Sequence, residues 1–203
     1  MIKFGDLSYY DLGIFWGVGS YTDGRMVFRH KDRYFIDRIG LYLNNINYEQ
    51  VSSKSIIQYV LKTSQIDIKS FAENGWTSRN SDTRDLPILE NYKDFLRAYI
   101  ELHGCFKYTL RYKRKPKKDP YKKLAFIIYG NYKMLTSINQ ILSCISGVNL
   151  KTVQLLYNGK TASLNYASLS EINSILTILY DEPCNKVFWG SSFDNLKYPI
   201  RDI

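Results

Sequence analysis

The chain lacks most of the features that mark common protein classes. Cysteine occurs three times in 203 residues, as Cys105, Cys144 and Cys184, each beside apolar neighbours. So few, in an odd number, argue against a disulfide framework. They fit reduced core thiols of an intracellular, cytoplasmic protein. No apolar run reaches the roughly 18 residues that a membrane-spanning helix needs. The opening MIKFGDLSYYD lacks the charged-then-apolar order of a secretory leader. There is no low-complexity tract, helix-turn-helix, zinc-ligand spacing or phosphate-binding glycine loop. Acidic side chains are also short. Nineteen Asp and Glu stand against 28 Lys and Arg, giving a net charge of +9 and a pI near 9.3. That balance points to an acidic partner, nucleic acid before an anionic membrane. The plainer alternative is a solvated basic surface.

What is present is an internal echo. Leu12–Tyr21 (LGIFWGVGSY) and Leu96–Phe106 (LRAYIELHGCF) each read as an apolar helix ending in a glycine that opens into a strand. The two glycines, Gly19 and Gly104, lie 85 residues apart, about half of a small duplicated protein. The residue before each is Val18 in one copy and His103 in the other. Gly17-Val18-Gly19 is only the end of the helix.

The second half is the clearer one. Glu90–His103 carries Phe95, Leu96, Tyr99 and Ile100 at helical spacing. Cys105–Lys115 then alternates strictly. Phe106, Tyr108, Leu110 and Tyr112 fall on one face, and Lys107, Thr109, Arg111, Lys113 and Lys115 on the other, so the spacing predicts a half-buried strand with a basic outer face. Pro116–Pro120 is a loop, Lys122–Tyr129 a returning strand and Lys133–Ser146 a helix. Lys151–Tyr157 and Lys160–Ala167 are strands around Asn158-Gly159, a strong hairpin signal. A final helix, capped by Ser168 or Ser170 with Glu171 in the capping position, runs to about Tyr180.

The first half repeats this order more loosely. Tyr9–Gly17 is a helix, Gly19–Thr22 and Arg25–His30 a short hairpin around Asp23-Gly24, and Arg33–Asn44 a helix. Tyr48–Ser53 and Ile56–Thr63 are strands, and Ile66–Asn74 a short helix. The polar stretch Gly75–Pro87 reads as the connection. The expected organisation is a first repeat over 1–76, a linker over 77–88, a second repeat over 89–181, and a tail over 182–203 packed on the outside. The fold class is α+β, with two pseudo-symmetric αββαββα repeats, each holding a four-stranded antiparallel sheet.

This order, twice, with an apolar helix ending in glycine, resembles the LAGLIDADG homing endonucleases in their single-chain form. The resemblance implies that the motif helices pack side by side, with Gly13, Gly17 and Ala98 allowing close approach. It also implies that the two sheets form a saddle over the DNA major groove. In active members the residue before each motif glycine is an acid, and the two acids hold divalent metal ions over the scissile phosphates. Here those positions are Val18 and His103. Valine binds no metal, and a lone imidazole is a poor magnesium ligand. Glu101, two residues before His103, lies about 200° round the helix, and nothing places Asp23 near the centre. The expectation is therefore no catalytic residue, no bound metal or cofactor, and a non-enzyme that has lost cleavage.

On that fold, outward strand positions face the groove. They are Thr22, Arg25, Val27, Arg29, Gln58 and Lys62 in the first half. In the second they are Lys107, Thr109, Arg111, Lys113, Lys115, Lys123, Ala125, Ile127, Tyr129, Thr152, Gln154, Ser163 and Asn165. Arginine reads guanine, and Gln or Asn reads adenine. Loop lysines such as Lys117, Lys118 and Lys122 suit phosphates. Nine basic residues lie between Lys107 and Lys123 against Asp119 alone. The leading expectation is a monomeric, sequence-specific binder of double-stranded DNA, nucleoid-associated when bound: a transcriptional repressor, or a phage or mobile-element factor. The competing readings are an RNA-binding intron maturase, an endonuclease with a changed centre using His103, His30 or Asp23, and a basic scaffold without a nucleic-acid role.

Overall fold

A computed structural model describes residues 1–44, 48–53, 56–77, 83–111, 121–156 and 159–180. The elements of the first half are α1 (Tyr9–Val18), β1 (Gly19–Thr22), β2 (Arg25–His30), α2 (Arg33–Tyr42), β3 (Glu49–Ser53), β4 (Ile56–Thr63) and α3 (Ile68–Ala72). The second half repeats the order as α4 (Lys93–His103), β5 (Gly104–Arg111), β6 (Tyr121–Gly130), α5 (Tyr132–Ser146), β7 (Gln154–Leu155), β8 (Ala162–Tyr166) and α6 (Leu169–Tyr180). The two four-stranded sheets share one topology, β1-β2-β4-β3 and β5-β6-β8-β7, with every strand pair antiparallel. The expected α+β architecture is present in both halves. By contacts the chain divides into two compact units, Met1–Leu102 and His103–Ile203. Nearly all of the second motif helix thus belongs with the first half of the chain.

The reason lies in α1. Leu12, Ile14, Phe15, Trp16 and Val18 are all at most 2% exposed, so the helix is buried on every side. Ser8 caps it, its hydroxyl accepting from the Asp11 amide. Gly13 faces α4 so closely that a Cβ there would run into the Phe95 carbonyl and come within 2.8 Å of the Ala98 Cβ. Gly13 and Ala98 therefore meet as the small-residue pair expected. Gly19 is needed for a similar reason: its Cβ would lie 2.5 Å from the Phe15 carbonyl and 3.2 Å from Met26.

The repeat offset relates the contacts on either side of that crossing. Shifted by 85 residues, Gly13 becomes Ala98, Tyr10 becomes Phe95 and Trp16 becomes Glu101. The Tyr10–Glu101 contact and the Phe95–Trp16 contact are thus images of one another, with different chemistry. On one side Tyr10 donates its hydroxyl to the buried Glu101 carboxylate at 2.5 Å, and guanidinium groups of Arg38 and Arg97 each lie 4.9 Å from the Tyr10 ring. On the other, Trp16 and Phe95 meet edge to face at 5.9 Å. Burial first, and then the Glu101 charge, push the Tyr10 hydroxyl far above its ordinary value, so it remains a donor.

Asp11 is fully buried in α1. Arg38 donates to its two oxygens at 2.6 and 3.0 Å, Tyr42 at 2.7 Å and Ser8 at 2.5 Å. Burial alone would raise this carboxyl. The hydrogen bonds from Arg38, Ser8 and Tyr42, with the Arg38 charge, outweigh it and hold the group below its ordinary value of 3.8.

Each sheet buries one face. Met26, Phe28 and Leu61 are at most 1% exposed, with Phe28 against Phe15 at 5.1 Å. In the second sheet Phe126, Ile128, Leu164 and Tyr166 are fully buried. Tyr166 donates to Asn139 of α5 at 3.3 Å. The β1–β2 turn places Asp23 at φ 51° and Gly24 at φ 74°, the type I′ geometry of a two-residue hairpin.

Four expectations need correction. Of the strand expected over Lys151–Tyr157, the described residues 151–156 form only the two-residue β7; at its start Asn139 accepts from the Lys151 amide at 3.1 Å and donates to its carbonyl at 2.7 Å. The Glu171 carboxylate accepts from Lys151 Nζ at 2.6 Å, within the second unit, rather than serving the helix start. Tyr108 is 42% exposed rather than core, since β8 pairs with β6 only from Phe126 onward and leaves the outer hairpin two-stranded. Cys144 is exposed and Cys105 half-buried, so neither is a core thiol: strand alternation puts Cys105 on the face opposite to that of its neighbour Phe106, which pairs with the buried Phe126. Cys184 lies outside the described residues.

Two outcomes follow for unfolding experiments. On an exposed helix Gly→Ala would stabilise by about 1 kcal/mol. Gly13→Ala should instead cost about 1–3 kcal/mol, part of it recovered when Ala98→Gly is added, as a urea double-mutant cycle reads directly. Asp11→Asn should cost about 3 kcal/mol at pH 7. The Asp11 contribution is complete above the ordinary carboxylate range and disappears as pH falls through its lowered native value. The difference between wild type and variant should therefore shrink under acid.

Candidate nucleic-acid interface

Register assigns the faces. Residues directly opposite on antiparallel strands share a face. In the first sheet Val27 pairs with Lys62 and Arg29 with Val60, Glu49 with Val60 and Val51 with Gln58, and Ser20 with Val27 and Thr22 with Arg25. Thr22, Arg25, Arg29, Gln58 and Lys62 therefore stand on one face, opposite the buried Met26, Phe28 and Leu61. Thr22, Arg25, Arg29 and Lys62 are exposed and Gln58 half-buried. The alternation read from sequence brings these five together.

In the second sheet Cys105 pairs with Ile127, Lys107 with Ala125 and Thr109 with Lys123. Ile127 pairs with Asn165, Tyr129 with Ser163 and Gln154 with Ser163. Lys107 and Gln154 are exposed, while Lys123, Tyr129 and Asn165 are half-buried. Ala125, Ile127 and Ser163 share this face but are at most 9% exposed, so the centre of the face is closed. Asn165 Oδ1 is buried and, among the described residues, accepts no hydrogen bond. Burial raises the Tyr129 hydroxyl, and its neighbour Cys105 raises it further. Thr109 and Arg111 lie on the same strand by backbone register. Lys113, Lys115, Lys117 and Lys118 lie outside the described residues.

Sequence reading missed Glu49. It stands in one row with Val60 and Arg29 across three strands and pairs with Lys62 at 2.8 Å. Its alternation with Val51 was a sufficient signal.

It also missed Arg84. This guanidinium is 2% exposed and lies in the stretch read as a linker. It donates to the Trp16 carbonyl at 2.5 Å, the Gly19 carbonyl at 3.1 Å and the Thr77 carbonyl, and lies 5.0 Å from the Trp76 ring. The last carbonyls of a helix carry partial negative charge and no intrahelical partner, and Arg84 meets both needs at the end of α1. Trp16 Nε1 donates to the Asp85 carbonyl at 2.8 Å, fixing the same stretch again.

The residues before the motif glycines do not fit a divalent-metal pair. Val18 is 2% exposed and offers no oxygen, and His103 offers an imidazole. Among the described residues no group of three His, Cys, Asp or Glu side chains gathers to hold an ion. His30 sits on the helix side of its sheet, opposite Tyr59. Its Nδ1 accepts from the Asp32 amide at 3.0 Å, and its ring meets Phe35 at 5.0 Å. Glu101 is committed to Tyr10, and Asp23 forms the exposed β1–β2 turn. No helix among the described residues is long and apolar enough to cross a membrane.

No protein-family model matches the chain, and no curated protein matches it. Solved structures do. The LAGLIDADG meganuclease I-AabMI bound to uncleaved DNA aligns with a TM-score of 0.56 at 15% identity, over 87% of this chain and 84% of that one. I-SmaMI bound to an uncleaved DNA target in the presence of calcium ions aligns with a TM-score of 0.56 at 10% identity, over 86% and 85%. The I-LtrWI LAGLIDADG homing endonuclease bound to target DNA aligns with a TM-score of 0.54 at 14% identity, over 86% and 82%. These matches correct the expectation of a non-enzyme. The proteins that share the fold are endonucleases, and two positions without an acid do not make a chain inactive.

The Arg84 clamp predicts a large effect from a residue almost wholly buried. Arg84→Met should cost about 2–4 kcal/mol, read by fluorescence-monitored urea unfolding with Trp16 and Trp76 beside the change. Arg84→Lys should recover only part, because an ammonium cannot span the carbonyls. Two antiparallel sheets of identical order, each preceded by an apolar helix ending in glycine, give this chain the two-repeat fold of the LAGLIDADG homing endonucleases.

Proposed function

We propose that the chain binds double-stranded DNA in a sequence-specific manner, with the open faces of its sheets laid against base edges in the major groove. The observation that carries this is the one-sided placement of charge. Arg25, Arg29 and Lys62 stand on the solvent face of the first sheet and Lys107 and Lys123 on that of the second, while the apolar side chains of the same strands are buried beneath. A two-stranded ribbon or sheet fits the major groove, where each base pair shows a distinct donor and acceptor pattern. Arg25 and Arg29 are suited to guanine, and Gln58 and Gln154 to adenine, while Asn165, its Oδ1 buried, does not reach a base edge. Thr22, Thr109, Arg111 and Tyr129 complete the reading positions. Loop lysines such as Lys117, Lys118 and Lys122 are suited to phosphate contacts, which position without reading. Shared fold with proteins whose structures hold DNA supports the same reading.

Selection from a random duplex pool at graded salt, with structured RNA as competitor and with or without magnesium or manganese, tests it. The expected result is an enriched duplex motif whose affinity falls linearly with salt on a logarithmic plot, with a slope of about −0.9 per phosphate contacted. Arg29→Ala should relax preference at one position by about 1–3 kcal/mol. Absence of any preferred duplex, or displacement by structured RNA, would overturn the proposal. End-mapping of the enriched duplexes reads cleavage in the same tubes.

A further inference from the structure

The open face of the first sheet carries one acid among its bases, and its position is informative. Glu49 of β3 is 61% exposed and Lys62 of β4 is 42% exposed, and they meet at 2.8 Å. Glu49 shares a row with Arg29, two strands away. At about 4.8 Å per strand that is about 10 Å, inside the roughly 12 Å width of a major groove. A carboxylate at such a place is repelled by phosphates, so a protein that docks this face on DNA must seat Glu49 on base edges or leave it a liability.

Resting on the DNA-binding reading above, we propose that Glu49 and Lys62 act as one specificity element that recognises a G·C base pair. The groove edge of a G·C pair runs acceptor, acceptor, donor: guanine N7, guanine O6, cytosine N4 amino group. An ammonium with three donors takes the two adjacent acceptors, and the carboxylate beside it takes the amino hydrogen. The contact between the two side chains survives, because their base partners are adjacent too. An A·T pair offers acceptor, donor, acceptor and then a methyl group. Its donor lies between the acceptors, so Lys62 reaches only one of them, and the carboxylate is pressed toward the thymine methyl. The pairing also keeps Lys62 off the phosphates, which converts a sequence-blind cation into a selective one.

The test compares the wild-type chain with Glu49→Gln and Glu49→Ala in the same duplex selection, followed by salt-titrated binding to a fixed non-specific duplex. Wild type should show a G·C preference at one position that depends on residue 49. Glu49→Gln should shift that position toward A·T, which an amide reads through adenine N6 and N7, by about 5-fold to 150-fold. The other positions should hold. Both variants should bind non-specific duplex more tightly, with a salt dependence steeper by about one phosphate contact as Lys62 is released. An unchanged motif in both variants would overturn the proposal and leave Glu49–Lys62 an ordinary surface ion pair. A uniform loss across all positions would overturn it in favour of a purely structural role. A wild-type chain that enriches no duplex defeats the DNA-binding reading itself, and is told apart because the defect then precedes any substitution.

Discussion

The structure depends on the contact between two helix backbones at Gly13. With no side chain there, α1 comes against the Phe95 carbonyl and the Ala98 methyl, and the second motif helix joins the first half of the chain. Much else follows from that approach. Trp16 reaches Phe95, Tyr10 reaches Glu101, and α1 becomes so enclosed that Asp11 must be paired inside. The C-terminal end of this helix is buried through Val18, so its last carbonyls need a protein donor. Arg84 provides it from a stretch with no regular structure of its own.

The two kinds of buried polar group behave differently. Asp11 has its oxygens filled by three side chains and is held in its charged form. Tyr10 is held in its neutral form by burial and by the neighbouring Glu101 charge. The sheets show the complementary logic. Their inner faces are aromatic and aliphatic, and their outer faces keep long cations whose geometry is set by strand register rather than by packing.

Much of this was legible in the sequence. Period-two alternation placed Arg25, Arg29 and Lys62 on the open face of the first sheet and Lys107 on that of the second, because that signal depends only on backbone geometry. The element order was legible because each helix has its own apolar stripe and each hairpin its turn residues. What failed was set by contacts distant in sequence. Asn139 takes the backbone of Lys151 away from a strand, and nothing near residue 151 announces it. Arg84 looked like part of a polar connector because its acceptors are 65 and 68 residues away. Tyr108 looked like core because alternation says which face a residue takes and not whether anything lies over it. The identity of residues 18 and 103 was plain to read, but two positions without a carboxylate do not make a chain inactive.

The unlike pair of contacts flanking Gly13 bears on which half can partner which. Tyr10–Glu101 and Phe95–Trp16 occupy equivalent places in the repeat. Two copies of the first motif helix brought together would set Tyr10 against Trp16 twice and strand the tyrosine hydroxyl. Two copies of the second would set Phe95 against Glu101 twice and leave two carboxylates in an apolar seam. Only one helix of each kind satisfies both ends. The two halves thus share one pattern and yet depend on each other: neither motif helix could serve as its own mate.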